Sequence, residues 1–492
     1  ISHVVPQVEY LGPYPLTRLV DGHAPFEVRV QVHLVAPAAC SVEVTAAGEW
    51  GAHNSTTATI PAGETMVELL LPAHSVNLWW PNNAGNQTMY SVDVSLGPSA
   101  APIASTSRRI GFRFLAYVTE DDQDPAAVLA KGEGTGSFTM RFRINGVNIY
   151  VRGANMIPME VLEGRADAAA LHRLVQSAAD ANFNMLRIWG GGIFQYSAFY
   201  DACDDLGILL FHDMQYAQLG HVPHNTTREK DELTHQIRRL SPHPCVAIYD
   251  GCNECSSKGR DIYTAFVMST VAAADQSHSI WPSCPASGWK TGVDRLTGRP
   301  NGNLLNADGP GVNDSHGPYV SGNGYATHED GFWNTQTLIT WHPDTTANFV
   351  AGQDCSRGAC KADTPIHPVP TNSTTKGWFK SEFGCVVMSS FESMEPMFNE
   401  QNYGIHSPPM YERNWNPDNV ILSYFGMHQD LNATGIVAFK KQLYQSMISQ
   451  GLFIKSEIDG WRSSNVWGTL IWQYLLWSIW RSPLTLFPSL NR

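Results

Sequence analysis

Predicted strands and predicted helices alternate along most of this chain, and this alternation limits the folds that it can adopt. Short apolar runs typical of buried strands are separated by amphipathic stretches typical of helices. The predicted strands cover residues 149–155, 185–189, 208–212, 245–249, 280–284, 313–316, 378–383 and 466–473. The predicted helices cover residues 167–181, 196–206, 228–240, 262–274 and 437–457. About eight strands that alternate with helices favour a (β/α)8 TIM barrel.

A doubly wound parallel sheet is the alternative fold for the same alternation. Such a sheet often carries a G-x-G-x-x-G turn directly after a strand. Residues 190–192 are consecutive glycines and lack that spacing, so the sequence favours the barrel.

The N-terminal part of the chain has a different pattern. Apolar and polar residues alternate over residues 26–34, 41–44, 66–71 and 90–96, with Gly and Pro between these runs. A period of two is typical of strands with one buried face. We therefore predict a supporting β-sandwich over residues 1–117 and the barrel over residues 118–492.

One long segment interrupts the barrel pattern, from about residue 320 to residue 377, and it is rich in Gly, Pro, Asn and Thr. Insertions of this length are usually functional loops or disordered segments. A disulfide between Cys355 and Cys360 within it would fit an oxidising compartment.

Charge and hydropathy exclude two classes of function. The chain has 32 basic and 45 acidic residues, a net charge of −13, which argues against nucleic-acid binding. The apolar stretch over residues 466–480 is interrupted by Gln473 and followed by Arg481. It is shorter than the roughly 20 apolar residues of a membrane-spanning helix, so we expect no membrane span.

Two glutamates follow predicted strands, where a barrel builds its active site. Glu254 comes after the strand at residues 245–249, and Glu382 ends the strand that begins at Trp378. Two carboxyl groups that face each other across a barrel mouth are the equipment for glycoside hydrolysis. By itself the pattern is a weak signal, because most glutamates at strand ends are solvated or salt-bridged.

Several motifs in their order along the chain resemble glycoside hydrolase family 2, and its β-mannosidase branch in particular. The segments at residues 76–82 and 108–113 are similar to the immunoglobulin-like domain of that family. The barrel segments that carry the resemblance are residues 142–146, 151–158, 184–193, 199–208, 243–244, 253–254 and 381–384. The resemblance implies an immunoglobulin-like sandwich followed by a catalytic (β/α)8 barrel, and it extends to about residue 473.

The resemblance also implies roles for individual residues. Glu254 would be the general acid/base, Glu382 the nucleophile, and Asn253 a hydrogen-bond partner of the sugar 2-hydroxyl. Such a nucleophile gives a retaining reaction, for which the carboxyl groups should lie roughly 5–5.5 Å apart. We expect the charge of Glu382 to raise the pKa of Glu254 and keep it protonated.

Aromatic side chains are the expected sugar contacts. Trp189 would line the sugar subsite and Trp472 would form a platform under the ring, although both could serve barrel packing. Tyr319 could hydrogen-bond the nucleophile.

Two polar residues complete the expected substrate-binding set. His316 belongs to a D-x-H motif on the sixth strand. Asp213 ends the third strand and could either set the polarity of the site or pair with Arg187 or Arg152.

No cofactor and no metal are expected. Residues 252–255 read C-x-x-C, but a zinc or redox function would need a second ligand pair or a thioredoxin-like context, and neither is evident.

The resemblance has two departures. The family's long members carry an N-terminal jelly-roll domain, and we expect this chain, which starts at Ile1, to begin after the equivalent of that domain. The residues after Gln473 are unusually apolar, so we expect missing domains or a partner to cover this tail. N-glycosylation sequons occur at Asn54, Asn86, Asn225, Asn313, Asn372 and Asn432. With the acidic composition and the resemblance they favour a lysosomal or secreted protein.

Three functions stay open at this point. The first is a retaining exo-β-mannosidase that hydrolyses terminal β-mannosyl residues of oligosaccharides. The second is a related family 2 exo-glycosidase, such as a β-glucosaminidase or a β-glucuronidase. The third is a catalytically impaired sugar-binding protein.

Overall fold

The computed structural model describes residues 1–474 apart from several gaps. The gaps are residues 99, 138, 161, 219–220, 312, 322–323, 326–338, 342–347, 351–377, 386, 414–416, 426–427 and 463–464. Most of the predicted insertion, including Cys355 and Cys360, and the apolar residues after 474 therefore lie outside the described residues.

Two antiparallel sheets form the N-terminal part. Their strands are β1 (His3–Tyr10), β2 (Phe26–Ala36), β3 (Cys40–Gly48), β4 (His53–Ile60), β5 (Gly63–Ala73), β6 (Tyr90–Leu96) and β7 (Ala104–Ile110). The order is β1-β2-β5 in one sheet and β4-β3-β6-β7 in the other. Val28 and Val30 of the first sheet and Val44, Val92 and Val94 of the second belong to one buried cluster. The predicted alternation thus buries one face of each sheet against the other.

A three-stranded meander follows, made of β8 (Leu115–Val118), β9 (Arg141–Ile144) and β10 (Val147–Ile149). Asn145 and Gly146 connect β9 to β10 with φ angles of 47° and 83°. Positive φ at both positions is what a tight hairpin turn requires. A Cβ at Gly146 would lie 1.8 Å from the carbonyl oxygen of Thr17, so glycine is also needed for space.

A curled sheet of eight parallel strands occupies the rest of the fold. The strands are β11 (Val151–Met156), β12 (Met185–Ile188), β13 (Leu209–Asp213), β14 (Val246–Asp250), β15 (Ser279–Trp281), β18 (Asn313–Ser321), β22 (Trp378–Cys385) and β23 (Val466–Ile471). Their spatial order is β15-β14-β13-β12-β11-β23-β22-β18. The first strand, β11, pairs with both the second and the last, which is the order of a cyclic sheet and differs from that of a doubly wound one.

The remaining strands are short. They are β16 (Trp289–Thr291), β17 (Asn306–Ala307), β19 (Gly324–Tyr325), β20 (Ile339–Trp341) and β21 (Asn348–Val350). β19 extends the parallel sheet as an antiparallel neighbour of β18, and the others form two-stranded pairs.

Apart from α1, which lies between β8 and β9, the helices lie between the parallel strands along the chain. They are α1 (Pro125–Leu129), α2 (Ala168–Asp180), α3 (Ser197–Leu206), α4 (Thr227–Leu240), α5 (Ser269–Ala274), α6 (Phe391–Met394), α7 (Pro408–Arg413), α8 (Asp418–Phe425) and α9 (Ile436–Arg462). A π-helical segment, Tyr263–Met268, precedes α5. Among the described residues, no helix is both long and apolar enough to cross a bilayer.

Local sequence explains where several helices begin and end. The side chain of Asp167 accepts a hydrogen bond from Ala170 N and caps α2. Thr226 and Glu229 form a capping box at the start of α4. Gly207 ends α3 with a φ of 72°. The structure reproduces the predicted strands and helices to within five residues at each end, but α6, α7 and α8, between β22 and α9, were not predicted.

The antiparallel part contacts the parallel part through polar groups. The indole nitrogen of Trp79 donates to the carbonyl oxygen of Asp204 at 2.8 Å. Arg109 of β7 pairs with Asp205 of α3. Strand β8 crosses the predicted domain boundary at residue 117.

Candidate active site

The candidate site lies where the parallel strands end. Because the strands are parallel, residues at their carboxyl ends meet at one edge of the sheet. The residues collected there are Arg187 of β12, Asp213 of β13, Asn253 and Glu254 after β14, His316 of β18, Glu382 of β22 and Trp472 after β23.

Arg187 is the centre of the hydrogen-bond network. Its guanidinium binds both oxygens of Asp213, with Nε–Oδ1 at 3.1 Å and Nη2–Oδ2 at 2.7 Å. Nη1 donates to Oε2 of Glu382 at 2.9 Å. The same group reaches the side-chain oxygens of Asn155 and Asn253, each at 2.8 Å. Arg187 and Asp213 are both fully buried, so these contacts replace water for the two charges.

Asp213 has both oxygens occupied by protein donors. Besides the contacts to Arg187, Oδ2 accepts a hydrogen bond from the backbone N–H of Gly190 at 3.0 Å. Burial raises the pKa of Asp213 to about 6 although the charge of Arg187 pulls it down. Of the two alternatives left open by the sequence, the structure places Asp213 in the ion pair with Arg187.

Glu382 is buried in the carboxyl-terminal half of β22, with its side chain 9% exposed. Arg187 holds one of its oxygens, and Nδ1 of His316 lies 3.6 Å from the same oxygen. The neighbouring Ser381 is fixed twice: its carbonyl accepts from Asn155 Nδ2 at 2.9 Å, and its hydroxyl donates to Asp314. The carboxylate is therefore held on a rigid strand.

Glu254 lies opposite, on the loop after β14. Oε1 is 2.7 Å from Nδ1 of His316, and Oε2 accepts a hydrogen bond from Nε2 of Gln218 at 2.6 Å. One ligand atom from each of Glu254, His316 and Glu382 lies within 4.8 Å of the other two. The structure thus brings the two predicted catalytic carboxyl groups together, with His316 between them.

The pKa of Glu254 is lowered, whereas we expected the charge of Glu382 to raise it. Burial acts to raise the pKa of Glu254, but the hydrogen bond and charge of His316, with the charge of Arg187, lower it overall. The contacts of Glu254 with His316 and the charge of Arg187 therefore outweigh the effect of burial.

The two predicted aromatic contacts are neighbours. The rings of Trp189 and Trp472 are 5.6 Å apart between centroids and meet edge to face at 72°. Both are half-buried. The backbone of Trp472 donates to the carbonyl of Phe383 at 2.6 Å, next to Glu382. Tyr319 lies on β18 with its Cα paired to that of Gly384.

Three residues were not assigned to the candidate site from the sequence. Arg187 was considered only as a structural ion pair, and Gln218 and Cys284 were not considered at all. Sγ of Cys284 lies 3.3 Å from Nε2 of His316. For Arg187 the sequence contained a signal, because it is a charged residue inside the apolar run at residues 185–189. A buried charge needs partners, so other polar residues were to be expected around it.

Two clusters of the described residues have a geometry that could hold a metal ion. One is Glu254, His316 and Glu382, and the other is Asp204, His243 and Cys245. In the second cluster burial raises the pKa of Cys245, which disfavours the thiolate that a metal would need. The first cluster coincides with the carboxylate pair, so a metal there would occupy the space between the two glutamates.

Comparison with known proteins supports the resemblance found in the sequence. Residues 14–113 match the family model described as Glycosyl hydrolases family 2. Beta-mannosidase of Bos taurus is 27% identical over 458 residues, which are 86% of this chain and 45% of that protein. Beta-mannosidase A of Aspergillus fumigatus is 27% identical over 261 residues, which are 51% of this chain and 27% of that protein.

Solved structures support the fold. Beta-D-mannosidase from Dictyoglomus thermophilum superposes with a TM-score of 0.66 at 21% identity, over 96% of this chain and 51% of that one. The exo-chitosanase of Amycolatopsis orientalis gives a TM-score of 0.62 at 15% identity, over 95% of this chain and 49% of that one. This chain spans about half the length of these proteins or less. The resemblance to glycoside hydrolase family 2 and its β-mannosidase branch is confirmed.

Proposed function

We propose that this chain, which is similar to β-mannosidases of glycoside hydrolase family 2, is a retaining exo-β-mannosidase. It would hydrolyse terminal non-reducing β-mannosyl residues of oligosaccharides. The observation that carries the proposal is that one carboxylate oxygen of Glu254 and one of Glu382 lie within 4.8 Å of each other at the carboxyl edge of the parallel strands. Retaining glycosidases need a short separation of about 5–5.5 Å between the carboxyl groups, because one of them attacks the sugar directly.

The finer architecture belongs to the same proposal. A closed (β/α)8 barrel over residues 118–492 would follow an immunoglobulin-like sandwich over residues 1–117. The cyclic strand order, with β11 between β12 and β23, supports the barrel. The contact between Cys284, after β15, and His316 of β18 supports closure between the fifth and sixth strands.

In the proposed reaction Glu382 attacks the anomeric carbon and forms a glycosyl-enzyme. Glu254 donates a proton to the leaving oxygen and later removes one from the attacking water. Arg187 orients the nucleophile through the 2.9 Å contact to Oε2. No metal or cofactor is needed for these steps.

Asn253 would recognise the 2-hydroxyl of the sugar. Arg187 holds its side-chain oxygen at 2.8 Å, so the amide nitrogen is left to face a ligand as a donor. Contacts to this hydroxyl strengthen in the transition state of glycoside hydrolysis. Trp189 and Trp472 would supply the aromatic surface of the subsite.

The protonation of Glu254 should depend on whether a substrate is bound. His316 lowers the pKa of Glu254 while burial acts in the opposite direction. A bound sugar excludes water and adds to the burial, which raises the pKa of the carboxyl group. Protonation of Glu254 would thus be favoured when substrate is present.

The test is a panel of 4-nitrophenyl β-glycosides with mannose, glucosamine, glucuronic acid and glucose. We expect turnover of the mannoside and loss of at least about 10³-fold in the Glu382→Gln variant. Glu43→Gln on β3 is the matched control and should keep full activity. Preference for the glucosaminide or the glucuronide would replace mannose as the substrate, and mannose binding without turnover would identify a sugar-binding protein.

We also propose a lysosomal or extracellular location. The exposed Asn225, in the loop before α4, offers an accessible glycosylation sequon. Mass spectrometry of the protein from its native source would detect an N-glycan there, whereas an unmodified Asn225 would argue against passage through the secretory route.

A further inference from the structure

A disulfide joins the residues on either side of the proposed acid/base pair. Cys252 and Cys255 are cross-linked and enclose Asn253 and Glu254. Their Cα atoms are 5.7 Å apart, within the usual range for a disulfide. The sequence motif C-x-x-C therefore acts here as a clamp on the loop that carries Glu254.

The loop inside this clamp has a conformation that needs support. Glu254 has a φ of 54°, in the left-handed region that residues other than glycine rarely adopt. The backbone N–H of Glu254 donates to the carbonyl of Cys284 at 2.7 Å. The hydroxyl of Ser283 contacts the carbonyl oxygens of Cys252 and Cys255 at 3.1 and 3.0 Å. The disulfide is the covalent part of this bracing.

The position of Glu254 depends on the loop because its carboxyl group meets His316 and Gln218 at 2.7 and 2.6 Å. A displacement of about 1 Å can cost two orders of magnitude in rate when a reacting group is misplaced. A cross-link that sets the loop geometry therefore sets the efficiency of the acid.

Reactivity points to the same pair. Cys252 is fully buried, but Cys255 is partly exposed and offers a point of attack. Among the other cysteines whose side chains the structure describes, the thiols of Cys203, Cys245 and Cys284 are buried, and burial raises the pKa of each, so they are poor nucleophiles. Cys40 is exposed but lies on β3, in the antiparallel part.

We propose that Cys252 and Cys255 form a redox-active dithiol–disulfide site that positions Glu254, a role that rests on the proposed function. The reaction partner is a small-molecule disulfide. The Cys255 thiolate attacks it and releases one thiol, and the Cys252 thiolate then attacks the mixed disulfide and releases the second. The two cysteines lose two electrons and two protons in total, and the partner becomes two thiols.

The test compares the full chain in its oxidised and dithiothreitol-reduced states, with oxidised glutathione to reverse the reduction. We expect reduction to lower kcat on 4-nitrophenyl β-mannoside about tenfold, with KM changed by less than about twofold. A 2,4-dinitrophenyl mannoside needs little protonation of its leaving group, so its glycosylation rate should change much less. That contrast would not arise from general loosening of the fold.

Variants separate this site from other cysteines. The double variant C252S/C255S should resemble the reduced enzyme and no longer respond to dithiothreitol. Cys40→Ser is the matched control and should keep the full redox response. A response that persists in C252S/C255S would assign the effect to other cysteines and overturn the proposal.

Two further outcomes distinguish this inference from the proposed function. Equal kcat in both redox states, with turnover of the mannoside, would overturn the inference and leave the function intact. Absence of glycosidase activity in both states would overturn the function. Alkylation of Cys252 and Cys255 without prior reduction would overturn the disulfide itself, whatever the activity.

Discussion

Replacement of Arg187 by methionine should show how much of the stability of the site depends on one buried charge. Arg187 and Asp213 are both fully buried, and two hydrogen bonds join them. Methionine fills much of the same space but leaves the Asp213 carboxylate without its counter-ion. Removing one partner of a buried ion pair costs about 3–5 kcal/mol, because the other charge is left uncompensated. We expect Arg187→Met to lower the free energy of unfolding by that amount at pH 7.

The loss should depend on pH in a definite direction. The pKa of Asp213 in the folded protein is about 6 with Arg187 present, above the ordinary value of 3.8. An acid with a raised folded pKa favours the folded state at low pH, and this contribution disappears as the pH rises to the folded pKa. Without Arg187 the folded pKa of Asp213 rises further. The variant therefore continues to lose stability at pH values where the wild type no longer does. The loss should therefore be smaller at pH 5 than at pH 8, by at most about 2.7 kcal/mol over the two pH units above the wild-type folded pKa of about 6.

Urea unfolding followed by tryptophan fluorescence at pH 5, 7 and 8 measures these differences. The double variant R187M/D213N, which lacks the orphaned charge, should recover about 2 kcal/mol relative to R187M. Arg109→Met breaks the exposed pair with Asp205 and should cost less than about 1 kcal/mol. A loss below about 1 kcal/mol for R187M, an equal loss at pH 5 and pH 8, or no recovery in the double variant would refute the reasoning.

Two other predictions concern titration. His316→Phe removes the hydrogen bond and charge that lower the pKa of Glu254, so the alkaline limb of the kcat/KM profile should move to higher pH. If the alkaline limb does not move, then the acid responsible for that limb is not Glu254. Burial raises the pKa of Glu457 to about 7 despite the nearby charge of Lys380. Stability of the wild type should therefore fall by about 3 kcal/mol as the pH rises from 4.5 to 7 through this group alone, and Glu457→Gln should abolish that part of the dependence in urea unfolding. Parallel stability curves for the two proteins would contradict the assignment.

Much of the fold could be predicted because its signals are local. The apolar run that became Met185–Ile188 and the Asp167 cap of α2 depend only on neighbouring residues. The turn at Asn145 and Gly146 needs positive φ, which those residue types tolerate. The π-helical segment Tyr263–Met268 was not predicted, since its pattern of apolar residues is the same as that of an ordinary helix.

The candidate site could be predicted only in part. Glu254 and Glu382 were found from their places after apolar runs and from the resemblance, and the structure places them together. The partner of Asp213 could not be decided, because Arg187 and Arg152 both lie on predicted strands of the same sheet and the sequence does not show which of them reaches Asp213. The pairing of Cys252 with Cys255 was also not expected.

By itself the sequence determined the order of strands and helices, the family resemblance and the identities of the two candidate carboxyl groups. Only the tertiary structure decided the electrostatics: that Arg187 joins groups from four other strands or strand ends, and that the pKa of Glu254 is lowered. The physical reason is that periodicity and caps act between neighbours along the chain. Charge interactions depend instead on distances of a few ångströms between distant residues and on the exclusion of water, and both exist only after folding.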